Sequence, residues 1–217
     1  MWALPSIWQT ALNSILKARD KVMTSYKINE IFYSLQGEGR WAGRAALFVR
    51  FSKCNLACPF CDTEFVTYRE LSGADIVAAL GRYPLCRFVV LTGGEPTLQV
   101  DPELLRRLHE RGYYVAMETN GTNPIPEGVD WVTCSPKAAF VKGGMPRVGA
   151  VDELKVVFDG RHEVSDFGIE AVVRYVQPCD TGDARRNKAI LAEAVAFVKD
   201  HPEWQLSLQQ HKLIGIR

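Results

Sequence analysis

The 217-residue sequence contains no long apolar run and carries almost no net charge. Its longest apolar runs are far below the ~18 residues that a membrane-spanning helix needs, so the sequence predicts no transmembrane segment. The 26 basic residues nearly balance the 25 acidic ones, and the formal net charge of +1 favours neither nucleic acid nor a membrane surface as a partner. A small charged substrate is compatible with this balance, because it needs only a local pocket.

The sequence also lacks the signs of a secreted protein. Its first 25 residues contain no continuous apolar stretch of the kind found in signal peptides. Six cysteines in 217 residues are too sparse for a small disulfide-dense domain. We therefore expect reduced thiols and a cytoplasmic protein.

The first 22 residues differ in pattern from the rest of the chain. Apolar residues such as Leu12 and Ile15 recur at helical spacing, and the pattern changes at Met23. We interpret residues 1–22 as an N-terminal extension and residues 23–217 as one domain. Two explanations of the extension stay open: a helix that docks on the domain or on a partner, and a start of translation at Met23.

Short β-rich segments alternate with helical patterns along the domain. The best-marked helix is DPELLRRLHERG (101–112), in which Asp101 is the expected N-cap, Pro102 opens the first turn and Gly112 follows the last. Alternation of this kind indicates βαβ units and a parallel sheet. Some connections, such as the one between YYVAME and WVTC, are too short for a helix. The sequence therefore predicts an α/β fold of the incomplete TIM-barrel type.

Polar or glycine-rich clusters follow four of the predicted strands. In parallel α/β architectures the carboxyl ends of the strands collect on one face, where ligands bind. We therefore expect the four clusters to converge on a single mouth. They are TGGEP (92–96), ETNG (118–121), SPK (135–137) and QPCD (177–180).

Three cysteines form the most specific motif, CNLACPFC, with the spacing C-x3-C-x2-C at Cys54, Cys58 and Cys61. A structural zinc site needs four ligands, and a [4Fe-4S] cubane is normally held by four thiolates. Three thiolates leave one iron of a cubane open, and an open iron can chelate a small molecule. The other three cysteines are isolated, and we interpret them as buried apolar residues or bystanders.

Several alternatives share this motif. A zinc module could complete its ligand set with a distant histidine, and an iron-sulfur electron carrier would use the cluster without a substrate. An activating enzyme that installs a glycyl radical on a protein partner would also carry C-x3-C-x2-C. Analysis of bound iron and zinc would separate the zinc module from the cluster proteins.

The cysteine spacing, with Phe60 directly before Cys61 and TGGEP further along the chain, resembles that of radical S-adenosylmethionine (SAM) enzymes. The resemblance implies a [4Fe-4S] cluster on Cys54, Cys58 and Cys61. It also implies that SAM binds the open iron and that the cluster delivers one electron to break the sulfonium bond.

Further motifs resemble the 7-carboxy-7-deazaguanine synthase family of 7-deazapurine (queuosine precursor) biosynthesis. They are LQGEG (35–39), CDT (61–63), METNGT, CSPK, ELK (153–155) and the terminal HKLIGIR. The resemblance covers residues 23–217. It implies a carbon-nitrogen lyase that converts 6-carboxy-5,6,7,8-tetrahydropterin to 7-carboxy-7-deazaguanine with loss of ammonia. It also implies Mg²⁺, a homodimer and a reductant such as flavodoxin or ferredoxin.

The same resemblance assigns roles to individual residues. It assigns no residue as a general acid or base. Arg50 would grip the substrate carboxylate, and the hydroxyl of Thr63 would ligate Mg²⁺. The last residue, Arg217, stands where a proline is expected, and its α-carboxylate would contact substrate. The other substrate contacts would be Leu35, Gln36, Gly37 and Thr92, with Glu118 and His211 as further candidates. The SAM contacts would be Phe60, Gly94, Ser135, Pro136, Lys137, Gln177, Pro178, Cys179 and Asp180.

Overall fold

The computed structural model describes residues 25–61, 64 and 66–216. The predicted N-terminal extension, Thr63 and Arg217 lie outside the described residues, so the proposed division of the chain at residue 22 stays a prediction. The strands are β1 (Ser25–Leu35), β2 (Ala45–Phe51), β3 (Arg69–Ser72), β4 (Phe88–Gly93), β5 (Tyr114–Thr119), β6 (Trp131–Cys134), β7 (Ala150–Phe158), β8 (Glu170–Pro178) and β9 (Gln205–Leu206). The α-helices are α1 (Gly73–Leu80), α2 (Pro102–His109), α3 (Ala184–Asp200) and α4 (Gln210–Leu213).

The strands form one sheet in the order β3-β1-β2-β4-β5-β6-β7-β8-β9. From β2 to β9 along this order all neighbours are parallel, whereas β1 is antiparallel to β2 and to β3. Within the described residues the outer strands β3 and β9 do not pair with each other, so the sheet stays open. A complete TIM barrel closes eight parallel strands, and this sheet confirms the predicted incomplete barrel.

Most predicted elements are present, and two strands are additional. β1 and β3 form an antiparallel edge that the sequence pattern did not predict. The connection between β5 and β6 was predicted to be too short for a helix, and no α-helix is described in residues 120–130. None of the described helices is long and apolar enough to cross a bilayer.

Helix α2 begins and ends as its sequence predicts. The Asp101 side chain accepts a hydrogen bond from the Leu104 backbone N–H at 2.9 Å, and Pro102 is the first helical residue. Gly112 has a φ of 71° in the turn after the helix, a conformation that costs glycine little. The Tyr26 hydroxyl donates to Asp101 at 2.8 Å and so ties β1 to this helix.

One face of the sheet packs on an apolar core, and the other face lines a more polar cavity. On β2, Leu47, Val49 and Phe51 are fully buried in the core, while Phe48 and Arg50 line a cavity on the opposite face. This alternation follows from the two-residue period of a strand. One apolar cluster packs β1, β2, β4 and β5 against α1 and α2, and a second packs β6 to β8 against α3.

Candidate active site

A cavity of about 670 Å³ lies at the carboxyl ends of the parallel strands. All four polar clusters that follow predicted strands contribute to its wall, as expected from the geometry of parallel sheets. The loop that carries the three cysteines lines the same cavity, and so does the LQGEG loop after β1. The sequence motifs therefore meet in one place.

The structure brings together all but one of the described residues that were predicted to bind SAM, substrate or the cluster. Pro136 does not line the cavity, although its neighbours Ser135 and Lys137 do. The individual roles stay predictions. The predicted residues that line the cavity are Leu35, Gln36, Gly37, Arg50, Cys54, Cys58, Phe60, Cys61, Thr92, Gly94, Glu118, Ser135, Lys137, Gln177, Pro178, Cys179, Asp180 and His211.

The cysteine loop follows β2 and exposes its thiols to the cavity. Cys54 and Cys58 are half-buried, and Cys61 is exposed. The Leu56 backbone N–H donates to the Cys54 sulfur at 3.4 Å, and the Cys61 N–H donates to the Cys58 carbonyl at 3.1 Å. Burial raises the pKa of the Cys54 thiol, and the N–H directed at its sulfur offsets part of this effect by favouring the thiolate that a metal requires.

The donor set fits a cubane. In a cubane each thiolate binds a different iron, so the thiols must share a space rather than converge on one point. Three soft sulfur donors around one cavity suit an iron-sulfur cluster.

The remaining cysteines are buried, in agreement with the interpretation from sequence. Cys86 and Cys134 belong to the two apolar clusters. Burial raises the pKa of the Cys134 thiol to about 12, so it stays protonated at neutral pH. Cys179 is also mostly buried, but it lies at the edge of the cavity.

Two glycines let the TGGEP loop approach the cysteine loop. The Gly94 N–H donates to the Phe51 carbonyl, and the Glu95 N–H donates to the Lys53 carbonyl, both at 2.9 Å. A Cβ atom on Gly94 would lie 2.0 Å from the Lys53 oxygen, and one on Gly93 would lie 2.1 Å from the Phe51 oxygen. The family resemblance implied that Gly94 contacts SAM. The structure adds a second requirement, which is backbone contact with the cysteine loop.

Glu95 joins the TGGEP and ETNG loops, a role that the sequence did not reveal. Its carboxylate is fully buried and accepts hydrogen bonds from the Thr119 hydroxyl and the Asn120 N–H, each at 2.8 Å. The Asn120 amide in turn donates to Asn55 at 3.0 Å, and Asn55 donates to Thr122 at 2.8 Å. A chain of hydrogen bonds thus connects both loops to the residue that follows Cys54.

A cluster of charged residues from β5, β7 and the LQGEG loop also lines the cavity, and we call this part of the wall the floor. Lys155 on β7 is 2.5 Å from Glu38 and 2.9 Å from Glu118, and its side chain is only 4% exposed. The Gln36 amide donates to Glu118 at 2.8 Å. Burial alone would raise the pKa of Glu38, but the Lys155 ammonium and hydrogen bonds from Lys155 and Gln209 outweigh it and lower the pKa to about 2. The sequence indicated no partner for Lys155.

Arg50 lies on the β1–β2 side of the cavity. Its Nε donates to Glu30 at 2.9 Å, and its guanidinium carbon is 5.6 Å from the centre of the Phe32 ring. β1 and β2 place Glu30 opposite Arg50 in register. The ion pair and the ring fix the direction of the guanidinium, which is the property that a carboxylate clamp needs.

Aromatic rings and a charged pair form the rim where SAM contacts were predicted. Phe60 meets Phe140 edge to face with ring centres 4.8 Å apart. The Asp180 carboxylate accepts hydrogen bonds from the Gly182 N–H at 3.0 Å and from Lys212 at 2.9 Å. These contacts and a hydrogen bond from Asn187 lower the pKa of Asp180 to about 2.

The C-terminal segment returns to the cavity. The Gln210 N–H donates to the Gly37 carbonyl at 2.9 Å. A Cβ atom on Gly37 would lie 2.1 Å from Nδ1 of His211, so the glycine permits this close approach. His211 and Ile216 both line the cavity, and Ile216 directly precedes in the sequence the terminal residue that was predicted to contact substrate.

Comparison with known proteins gives concordant matches. The model of the Radical SAM superfamily matches residues 48–175. A 7-carboxy-7-deazaguanine synthase of Bacteroides thetaiotaomicron is 50% identical over 192 residues, which cover 88% of this chain and 98% of the relative. One of Bordetella pertussis is 45% identical over 220 residues, with coverages of 88% and 99%. The crystal structure of QueE from Escherichia coli superposes with a TM-score of 0.63 at 26% identity, over 86% of this chain and 95% of that one.

Proposed function

Because this chain belongs to the 7-carboxy-7-deazaguanine synthase family of the radical SAM superfamily, we propose that it converts 6-carboxy-5,6,7,8-tetrahydropterin to 7-carboxy-7-deazaguanine with loss of ammonia. This reaction belongs to 7-deazapurine (queuosine precursor) biosynthesis. One observation carries the proposal: the three-cysteine loop, the TGGEP loop and the LQGEG loop line a single cavity. The cavity volume of about 670 Å³ is in the range of small-molecule sites, about 300–1,000 Å³.

The proposed cofactors occupy the end of the cavity that the cysteine loop forms. Cys54, Cys58 and Cys61 would hold the [4Fe-4S] cluster, which together with SAM supplies the radical chemistry when bound. The backbone of Gly94 and the ring of Phe60 line the same end and would hold SAM, with Phe140 fixing the orientation of Phe60. Further SAM contacts would come from the segments 135–137 and 177–180.

The proposed substrate has a carboxylate at one end and a donor-rich pyrimidinone edge at the other. Arg50 would bind the carboxylate through its oriented guanidinium. Gln36, Glu118 and His211 would bind the pyrimidinone edge at the floor, where amide, carboxylate and imidazole groups offer directional hydrogen bonds. The charge pattern of the cavity therefore supports one orientation of the substrate.

Anaerobic turnover tests the proposed function directly. The reconstituted protein would be incubated with SAM, Mg²⁺, dithionite and 6-carboxytetrahydropterin, and the products analysed by mass spectrometry. We expect a product lighter than the substrate by one ammonia. SAM cleavage without this product would contradict the proposal and would favour a radical SAM enzyme with another substrate, such as the activating enzyme of a glycyl radical protein.

Thr63→Ala is expected to weaken the dependence of turnover on Mg²⁺ while SAM binding stays intact. We propose that the Thr63 hydroxyl ligates Mg²⁺, which keeps several waters and also binds substrate oxygens. Turnover would be titrated with MgCl₂, and SAM affinity would be measured in parallel. Thr67→Ala, at an exposed position of the same segment, is the matched control. If both variants respond to Mg²⁺ as the wild type does, the metal is bound by another residue.

A tag fused to the C-terminus is expected to raise the KM for substrate at least tenfold, about 1.4 kcal/mol of lost binding. We propose that the α-carboxylate of Arg217 accepts hydrogen bonds from the substrate, next to His211 and Ile216 at the cavity wall. The same tag at the N-terminus is the control. Arg217→Pro is expected to be nearly silent, because it keeps the terminal carboxylate. Equal KM values for the two tagged proteins would place the terminus away from the substrate.

We further propose a cytoplasmic homodimer that receives its electron from flavodoxin or ferredoxin. The family membership supports each part of this proposal. Sedimentation equilibrium measures the oligomeric state. Replacement of dithionite by purified reduced flavodoxin or ferredoxin tests the electron donor.

A further inference from the structure

Lys155 holds together three segments that form the floor of the cavity. It lies on β7, whereas Glu38 follows β1 and Glu118 belongs to β5. Both carboxylates use one oxygen, Oε2, to contact the Lys155 ammonium, at 2.5 and 2.9 Å. The side chain of Lys155 is 4% exposed, so water is replaced by these two partners. One buried cation therefore connects two carboxylates from distant parts of the chain.

The second oxygen of each carboxylate holds a side-chain amide. Oε1 of Glu118 accepts from Gln36 at 2.8 Å, and Oε1 of Glu38 accepts from Gln209 at 2.9 Å. Gln36 belongs to the proposed substrate loop, and Gln209 directly precedes the C-terminal segment. The position of each amide is therefore set by a carboxylate, and the position of each carboxylate is set by Lys155.

Buried groups of this kind have a strong effect on one another. A carboxylate in a water-poor site is stable only with a cation or with several hydrogen-bond donors. Without Lys155, the carboxylates of Glu38 and Glu118 would repel each other and the buried carboxyl of Glu153, which interacts electrostatically with Glu118 and Lys155. This repulsion would favour rotation or protonation of one of them. Either change would move the Gln36 amide and the Glu118 carboxylate, which both face the cavity.

We infer that Lys155 is a positioning residue for substrate binding: it holds Glu118 and Gln36 in the orientation that receives the pyrimidinone edge of the pterin. This inference rests on the proposed function and adds to it a residue that need not touch substrate. Lys155 acts through its two carboxylate partners. The Glu38 carboxylate balances the positive charge of Lys155. The hydrogen bonds of Lys155 go to Glu38 and Glu118, so we expect the cysteine loop to keep its own contacts when Lys155 is replaced.

The experiment compares Lys155→Met, Lys155→Arg and the double variant Lys155→Met/Glu38→Gln. The double variant removes one positive and one negative charge, so the net charge of the floor is unchanged. It therefore leaves fewer unpaired buried charges and serves as the test if Lys155→Met does not fold. Lys188→Met, at an exposed position of α3, is the control. Substrate affinity is measured by calorimetry on the reconstituted protein with SAM and without reductant. KM, kcat, iron content and SAM affinity are measured alongside.

We expect the double variant to keep the iron content and SAM affinity of the wild type while its Kd and KM for substrate rise at least about tenfold. Lys155→Arg should recover part of the affinity, because it keeps the charge. A folded double variant with Kd and KM within twofold of the wild type would overturn the inference, and the proposed function would stand. A wild-type protein that neither binds nor converts 6-carboxytetrahydropterin would refute the proposed function, and this inference with it.

Discussion

Cys58→Ala is expected to lose the iron-sulfur cluster and all turnover. Cys54, Cys58 and Cys61 supply three ligands and leave no redundancy, so removal of one thiol leaves two irons of a cubane without a protein ligand. The same result is expected for Cys54→Ala and Cys61→Ala. The measurement is iron and sulfide content after anaerobic reconstitution, about four of each per chain in the wild type, together with the visible absorbance of the cluster.

Cys179→Ala is the matched control for this prediction. Its thiol is mostly buried and lines the same cavity, yet it lies outside the cysteine loop. We expect wild-type iron content in this variant and in Cys86→Ala, whose thiol belongs to an apolar cluster. Loss of the cluster absorbance in either control would show that the wrong thiols have been assigned as ligands.

Gly94→Ala is expected to destabilise the protein by at least about 3 kcal/mol, at the upper end of overpacking effects. The added Cβ would lie 2.0 Å from the Lys53 carbonyl oxygen and 2.5 Å from its carbon. Both atoms belong to the backbone just before Cys54, so the cysteine loop and the TGGEP loop would have to separate. We therefore expect the variant to lose cluster content as well as stability, as measured by urea unfolding of the apoprotein and by iron analysis.

Gly149→Ala provides the comparison for Gly94→Ala. No heavy atom lies within 4 Å of the position that its Cβ would occupy, so we expect little change in the free energy of unfolding or in iron content. If Gly94→Ala behaved like Gly149→Ala, the close approach of the two loops would not be required for cluster assembly. The glycine would then serve SAM binding alone.

Local sequence signals were sufficient to predict most of the fold. Helix α2 carries its own boundaries in Asp101, Pro102 and Gly112, and the parallel strands are short apolar segments followed by polar turns. β1 and β3 were missed for physical reasons. In β1 polar residues such as Lys27 and Glu30 interrupt the apolar positions, and β3 is only four residues long with two exposed charged residues.

The cluster end of the cavity was predictable, and its floor was not. The cysteine spacing and the two glycines of TGGEP are local motifs whose chemistry limits what they can do. The Lys155–Glu38 pair joins residues that are 117 positions apart, and no spacing rule connects them. The same holds for Glu95, whose burial depends on how the loops that follow β4 and β5 meet.

The C-terminal segment touches both ends of the site. Gln210 is bonded to Gly37 beside the proposed substrate position, and two residues later Lys212 pairs with Asp180 at the proposed SAM rim. Displacement of this segment must therefore break contacts at both positions. A ligand that secures the segment at one position lowers the free energy needed to order it at the other, and such a coupling is equal in both directions. Under the proposed assignment, a ligand that moves this segment at one position also changes its contacts at the other.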